Sequence, residues 1–233
     1  MPLIHLLRHG EAQHNASHKP NLLDPDLTPK GESECRALAD TLSRTQTHPL
    51  LLPQITHLVS SPSHRTIRTS ALVFSSILDS RSDSPSCSPS SSRAHSPPLR
   101  NPPNSILLNA TFMESGNEPC NAPSALSVIK QRHGQLVDTA LLETQGDFVH
   151  RGRDGPYDAS KTGERTRRAR VWLRTLAQDY GEDTKIVVVS HGAFLQVLDK
   201  SGPAWRNAEM RTYTFVDWKA DDDEAMLQRV SEI

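Results

Sequence analysis

Short apolar runs punctuate this chain, and four of them lead into polar or charged residues. Leu3-Ile4-His5-Leu6-Leu7 ends in Arg8-His9-Gly10-Glu11, and Ile55-Thr56-His57-Leu58-Val59 runs into Ser60-Ser61-Pro62-Ser63-His64-Arg65. Ile106-Leu107-Leu108 is followed by Thr111-Phe112-Met113-Glu114, and Lys185-Ile186-Val187-Val188-Val189 ends in Ser190-His191-Gly192-Ala193. Runs of this length bounded by turn signals read as buried strands. The unbroken β-branched run 186–189 suits a strand covered on both faces of a parallel sheet.

Between these runs the apolar period lengthens. Cys35, Leu38, Ala39 and Leu42 recur at i, i+3, i+4 and i+7, which predicts a helix with one buried face. Thr28 is placed to cap it, with Pro29 as its first residue. Cys35 on that face reads as core rather than reactive thiol. A second amphipathic helix is predicted over Gly163–Asp179 from Ala169, Trp172, Leu173, Leu176 and Ala177. Trp172 reads as packing, and Arg165, Arg167, Arg168 and Arg170 as a mostly solvated face. The segment Ser124–Glu143 fits a helix more loosely. Strands alternating with helices predict an α/β fold, a three-layer sandwich with a mostly parallel central sheet.

Residues 79–105 break this pattern with ten serines and six prolines in 27 residues. Such a stretch buries too little apolar surface to offset its ordering entropy, so it reads as a disordered insertion in a single domain spanning 1–233. Trimming 80–104 is expected to leave activity unchanged. The segment 115–162 reads as an elaboration over the sheet edge, placed to select a substrate. A formal net charge of −1 gives no global argument for nucleic acid or an anionic membrane. Cys35, Cys87 and Cys120 are widely spaced, which speaks against a disulfide scaffold or a zinc ribbon and fits a reducing compartment. The N-terminal apolar run is too short for a signal-peptide core or a membrane span. The expectation is a cytoplasmic protein without a metal or cofactor.

In an open α/β sheet, ligands bind beyond the carboxyl ends of the strands. Two of the predicted ends carry His-Gly (His9-Gly10 and His191-Gly192), Arg8 precedes the first, and a third end leads to Arg65 and Arg68. Glu114 lies near a fourth. Gly10 is expected to let the backbone bend and approach a ligand. Asn15 is a candidate donor to an anion, while His14 and His18 read as surface residues. Two imidazoles, arginines and one carboxylate suit metal-free phosphoryl transfer. An imidazole attacks phosphorus, the cations neutralise the equatorial oxygens, and the carboxylic acid protonates the leaving oxygen.

These stretches resemble the signatures of the histidine phosphatase superfamily, also called phosphoglycerate mutase-like: Leu7-Arg8-His9-Gly10-Glu11, Ser60 through Thr69, and Val189-Ser190-His191-Gly192. Leu27-Thr28-Pro29-Lys30-Gly31, Gly163-Glu164 and Asn207-Ala208-Glu209-Met210-Arg211 are also similar. Ser115 to Cys120 and the Asn-x-Glu-x-Arg segment resemble fungal members. The resemblance implies a phosphoglycerate mutase-like fold and a phosphomonoesterase acting on a small phosphorylated metabolite through a phosphohistidine intermediate. It implies His9 as nucleophile, and Arg8, Arg65 and His191 as the phosphate pocket, with Asn15 and the Gly192 amide assisting. Glu114 would be the general acid, with Glu118 as its competitor. Glu209 and Arg211 would be structural. The basic and aromatic segment of glycolytic mutases is not seen, which favours a phosphatase. A mutase and a relative recruited to a non-hydrolytic step of specialised metabolism are the alternatives.

Overall fold

The computed structural model describes residues 1–44, 54–79, 104–150, 155–200 and 203–230. The Ser/Pro-rich stretch, with Cys87 and His95, lies outside them except at its ends. Among the described residues a seven-stranded sheet runs in the order β4-β3-β2-β5-β1-β6-β7. Its strands are β1 (Leu3–Arg8), β2 (His57–Ser60), β3 (Ile106–Leu108), β4 (Val137–Asp138), β5 (Lys185–Ser190), β6 (Met210–Phe215) and β7 (Leu227–Arg229). The first five pair in parallel, and β6 and β7 add an antiparallel edge. The helices are α1 (Gln13–Ser17), α2 (Pro29–Arg44), α3 (His64–Val73), α4 (Ser75–Asp79), α5 (Leu126–His133), α6 (Ala140–Thr144), α7 (Thr162–Tyr180) and α8 (Gly192–Leu198). None of them is long and apolar enough to cross a membrane.

Alternation along the central strands sends side chains into two cores. Leu7, Leu58, Val187 and Val189 pack with Cys35 of α2 and Ile67 of α3. Ile4, Leu6, Val59, Ile186 and Val188 pack with Ala169 and Leu173 of α7 and Phe194 of α8. This is the predicted three-layer arrangement. Trp172 is indeed packing, edge to face with Phe112 at 5.9 Å. Register then fixes the functional edge: Arg8 pairs with Ser190, and Ser60 with both Val189 and Leu108. The ends of β1, β5, β2 and β3 therefore lie side by side, as parallel pairing requires.

The loosely periodic stretch 124–143 is not one helix. It breaks into α5, a short 3₁₀ turn and β4, which pairs with β3 at the sheet edge, before α6. Gly134, at φ +49°, ends α5. Its left-handed backbone is where the helical period fails.

Thr28 caps α2 as expected, its Oγ1 accepting the Gly31 N–H at 3.0 Å. Gly10, expected to let the backbone bend, and Gly31 are both required by close packing. A Cβ on Gly31 would lie 2.0 Å from the Glu11 carbonyl oxygen, and one on Gly10 would lie 2.6 Å from the Gly31 carbonyl oxygen. The missing side chains let the loop after β1 lie directly on α2. Gly31→Ala is expected to cost about 3 kcal/mol or more, because the obstacle is rigid backbone. Gly163→Ala, whose Cβ meets nothing within 4 Å, should be neutral or stabilise by up to about 1 kcal/mol. Denaturant unfolding of both variants checks this, and equal stabilities would refute the close-approach account.

Candidate active site

The parallel strand ends bring His9, Arg65 and His191 into direct contact, with Arg8 beside them. His9 is only 2 % exposed, and its backbone N–H bonds the Ser190 carbonyl at 3.0 Å. Its Nδ1 lies 2.7 Å from the Gly10 carbonyl oxygen. A carbonyl only accepts, so Nδ1 carries the proton and Nε2 presents a lone pair. Arg65 Nε donates to that lone pair at 3.3 Å. Burial, then Arg65 and Arg8, hold His9 well below the usual imidazole range, so the ring is neutral.

Arg65 is completely buried in the first turn of α3. Its Nη1 donates to the Cys120 carbonyl at 2.9 Å, and its Nη2 donates to His191 Nδ1 at 3.1 Å. His191 Nε2 in turn donates to Ser61 Oγ at 2.8 Å, and its ring meets His9 edge-on at 5.3 Å. Arg68 does not share the site. It turns outward to pair with Glu32.

Arg8 sends Nη1 to the Trp205 carbonyl at 2.5 Å, while its Nε, shielded from solvent, has no hydrogen-bond partner among the described residues. A Cβ at Gly192 would meet that Nε at 3.0 Å, so glycine there keeps the guanidinium against the first turn of α8. Trp205 is held by Arg211, whose guanidinium stacks 4.0 Å from the indole and pairs with Glu209 at 2.8 Å and Asp199 at 3.4 Å. Glu209 and Arg211 are thus scaffolding around Arg8.

Glu114 Oε1 accepts the Phe194 N–H at 2.9 Å and the Ser115 N–H at 2.7 Å, which ties it to the helix that begins at Gly192. Its charge acts on both Arg8 and Arg65. Glu118 is exposed and accepts from Asn121 Nδ2 at 2.7 Å.

Two expectations need correction. Of the arginines read as a solvated face, Arg165 and Arg170 are buried, as is Arg174 further along the helix, while Arg167 is intermediate and Arg168 exposed. Arg165 donates to the carbonyls of Thr111, Met113 and Glu114 and lies 4.8 Å from the Phe194 ring, so it fixes the backbone that carries Glu114. Arg170 and Arg174 bind the loop 222–224. These arginines lie in register with the stripe of Ala169, Leu173 and Ala177, which was the available signal. Secondly, His14 is not a surface residue. It is half-buried, its ring 6.0 Å from that of His9. Asn15, the candidate donor to an anion, has its Oδ1 accepting the Ala12 N–H at 3.1 Å, and its Nδ2 faces His14 Nε2 at 3.0 Å.

The roles of Thr69, at the end of the second signature stretch, and of Asp24, which lies in no motif, were not foreseen. Thr69 Oγ1 accepts the Gly10 N–H at 3.1 Å and donates to the Arg65 carbonyl at 2.8 Å, joining the β1 loop to α3. Asp24 is buried 3.9 Å from Arg65 and accepts the N–H groups of His64 and Ser124.

Burial lowers His14, His57 and His133 each to about 4. These rings stay neutral in the folded state while the unfolded chain protonates through about 6.5. Stability should therefore be full above pH 6.5 and fall as pH drops toward 4. His57, against Tyr180 and away from the site, isolates the effect. In His57→Gln the fall in unfolding midpoint should be shallower by about one proton, and an unchanged slope would contradict it.

Residues 4–78 match the model of the histidine phosphatase superfamily, branch 1. No curated protein matches the sequence. Among solved structures, a mutant phosphoserine phosphatase from Entamoeba histolytica in complex with phosphoserine is 17% identical, with a TM-score of 0.52 over 99% of this chain and 96% of that one. YhfR of Bacillus stearothermophilus is 16% identical, TM-score 0.54, over 100% and 96%. The mycobacterial glucosyl-3-phosphoglycerate phosphatase in complex with VO3 is 14% identical, TM-score 0.51, over 98% and 96%. The described residues share the fold of these proteins, and the match over residues 4–78 supports the histidine phosphatase superfamily.

Proposed function

We propose that this chain is a phosphatase that hydrolyses a small phosphate monoester through a phosphohistidine at His9. The observation that carries the reading is the tautomer of His9: the Gly10 carbonyl fixes the proton on Nδ1 and leaves the Nε2 lone pair among two guanidiniums and a second imidazole. The superfamily match and the shared fold support it, and the phosphatases named above act on small phosphate esters.

The substrate phosphoryl group displaces the long Arg65–His9 hydrogen bond, and Arg65 turns its N–H to a phosphoryl oxygen. His9 Nε2 attacks phosphorus, and the P–O ester bond breaks. Arg8, Arg65, His191 and the Gly192 amide neutralise charge on the equatorial oxygens. The Gly10 carbonyl takes up the positive charge that develops on the His9 ring through Nδ1–H. Glu114, as the carboxylic acid, gives its proton to the leaving oxygen. The Glu114 carboxylate then removes a proton from water. That water attacks the phosphohistidine, the P–N bond breaks, and phosphate, neutral His9 and protonated Glu114 result. Segment 115–162, which reaches the pocket through the Cys120 carbonyl on Arg65, selects the organic part of the ester. Glu118, exposed and bound to Asn121, is the weaker candidate for the acid.

Phosphate release from an aryl phosphate and from a panel of sugar, nucleotide and amino-acid phosphates, in EDTA, tests this. His9→Ala and His9→Asn should abolish release with melting temperatures close to that of the parent. Glu114→Gln should lower it by about 10²–10⁴-fold, while Glu118→Gln should leave it nearly unchanged. Persistent release in both His9 variants would refute the nucleophile. Phosphoryl transfer to a second hydroxyl in preference to water would identify a mutase.

A further inference from the structure

His14 follows the nucleophile by five residues, and nothing in the reaction above uses it. Its ring stands 6.0 Å from that of His9 and feels the charges of both Arg65 and Arg8, so it forms part of the same pocket wall. The hydrogen bonds of α1 decide where its proton sits. The Ala12 N–H requires an oxygen from Asn15, which fixes the amide with Oδ1 toward the backbone and Nδ2 toward His14. Nδ2 only donates, so His14 Nε2 must accept and carries no proton. In a neutral ring the proton is then on Nδ1. That Nδ1–H is shielded from solvent and, among the described residues, has no acceptor within hydrogen-bond distance. A donor shielded in this way is costly unless an acceptor reaches it. Its charged neighbours, Arg65 and Arg8, only donate, and the His9 ring, 6.0 Å away, makes no hydrogen bond to it. The acceptor that suits this wall is an anionic oxygen.

We infer that His14 is a further phosphate-binding residue, donating from Nδ1 to a phosphoryl oxygen, and that Asn15 positions it by holding its tautomer. This rests on the phosphate pocket proposed above. The expected contact of Asn15 with the anion is compatible with this, since Nδ2 carries a second N–H beside the one that faces His14.

Calorimetric titration of the full chain with inorganic orthophosphate at pH 7 tests the inference without turnover. His14→Phe and His14→Leu remove the donor and should weaken binding about tenfold, as expected for a hydrogen bond to a charged group. His14→Asn places an amide N–H where Nδ1 was and should bind within about threefold of the parent. ¹⁵N spectra of the parent should show the His14 proton on Nδ1. Unchanged affinity in a folded His14→Phe or His14→Leu protein, His14→Asn as weak as they are, or a proton on Nε2 would each overturn the role of His14 alone. Failure of the parent to bind orthophosphate would instead overturn the pocket, and this inference with it.

Discussion

A fully buried guanidinium is the constraint around which the site is arranged. Burying Arg65 removes its hydration, which several kcal/mol of compensation must offset. Each of its three nitrogens meets an acceptor: His9 Nε2, the Cys120 carbonyl and His191 Nδ1. None of these acceptors carries a negative charge. The nearest carboxylate, Asp24, is 3.9 Å away and already accepts two backbone N–H groups. The hydrogen bonds of Arg65 are therefore satisfied while its charge is only partly balanced. A wall built in this way is electropositive and dry, and both properties strengthen its hold on an anion.

The same economy recurs one layer out. Arg165 gathers the carbonyls that precede and include Glu114, and Arg211 braces Trp205, whose carbonyl holds Arg8. Two buried arginines thus fix the two chain segments that flank the strand ends. Below them, the Gly10–Gly31 contact seats the β1 loop on α2, and Thr69 joins that loop to α3. The geometry of His9 is set by backbone on three sides rather than by loose side chains. This rigidity matters because a nucleophile must meet phosphorus within a narrow range of distance and angle.

The strand ends and their residues were legible because parallel pairing and the ligand edge of an open sheet follow from the apolar pattern alone. The capping of α2 by Thr28 and the burial of Cys35 were legible for the same local reasons. Arg165 and Arg170 were misread because charge was weighed above register. Their positions relative to Ala169 and Leu173 place them on the buried stripe, and only the carbonyls of other segments, invisible in the sequence, make that burial tolerable. The break in 124–143 escaped because one glycine in the left-handed region outweighs a weak apolar period. Asp24 carries no pattern of its own, and what Thr69 and Asp24 join is set by long-range contacts with Gly10, Arg65 and Ser124.

His14 was misread for a subtler reason. A histidine in a polar run gives no sign of which nitrogen bears the proton, yet that choice decides whether it can face an anion. In this pocket each ring is set by a partner that can only donate or only accept. The Gly10 carbonyl sets His9, Arg65 sets His191, and the Asn15 amide sets His14. Burial and the arginines keep His9 and His14 uncharged. The cations that would receive a phosphate thus also preserve the lone pair that would attack it. A more solvated or less cationic pocket would let His9 protonate and lose its nucleophile. Electrostatic attraction for the anion and availability of the imidazole therefore arise from the same two guanidiniums.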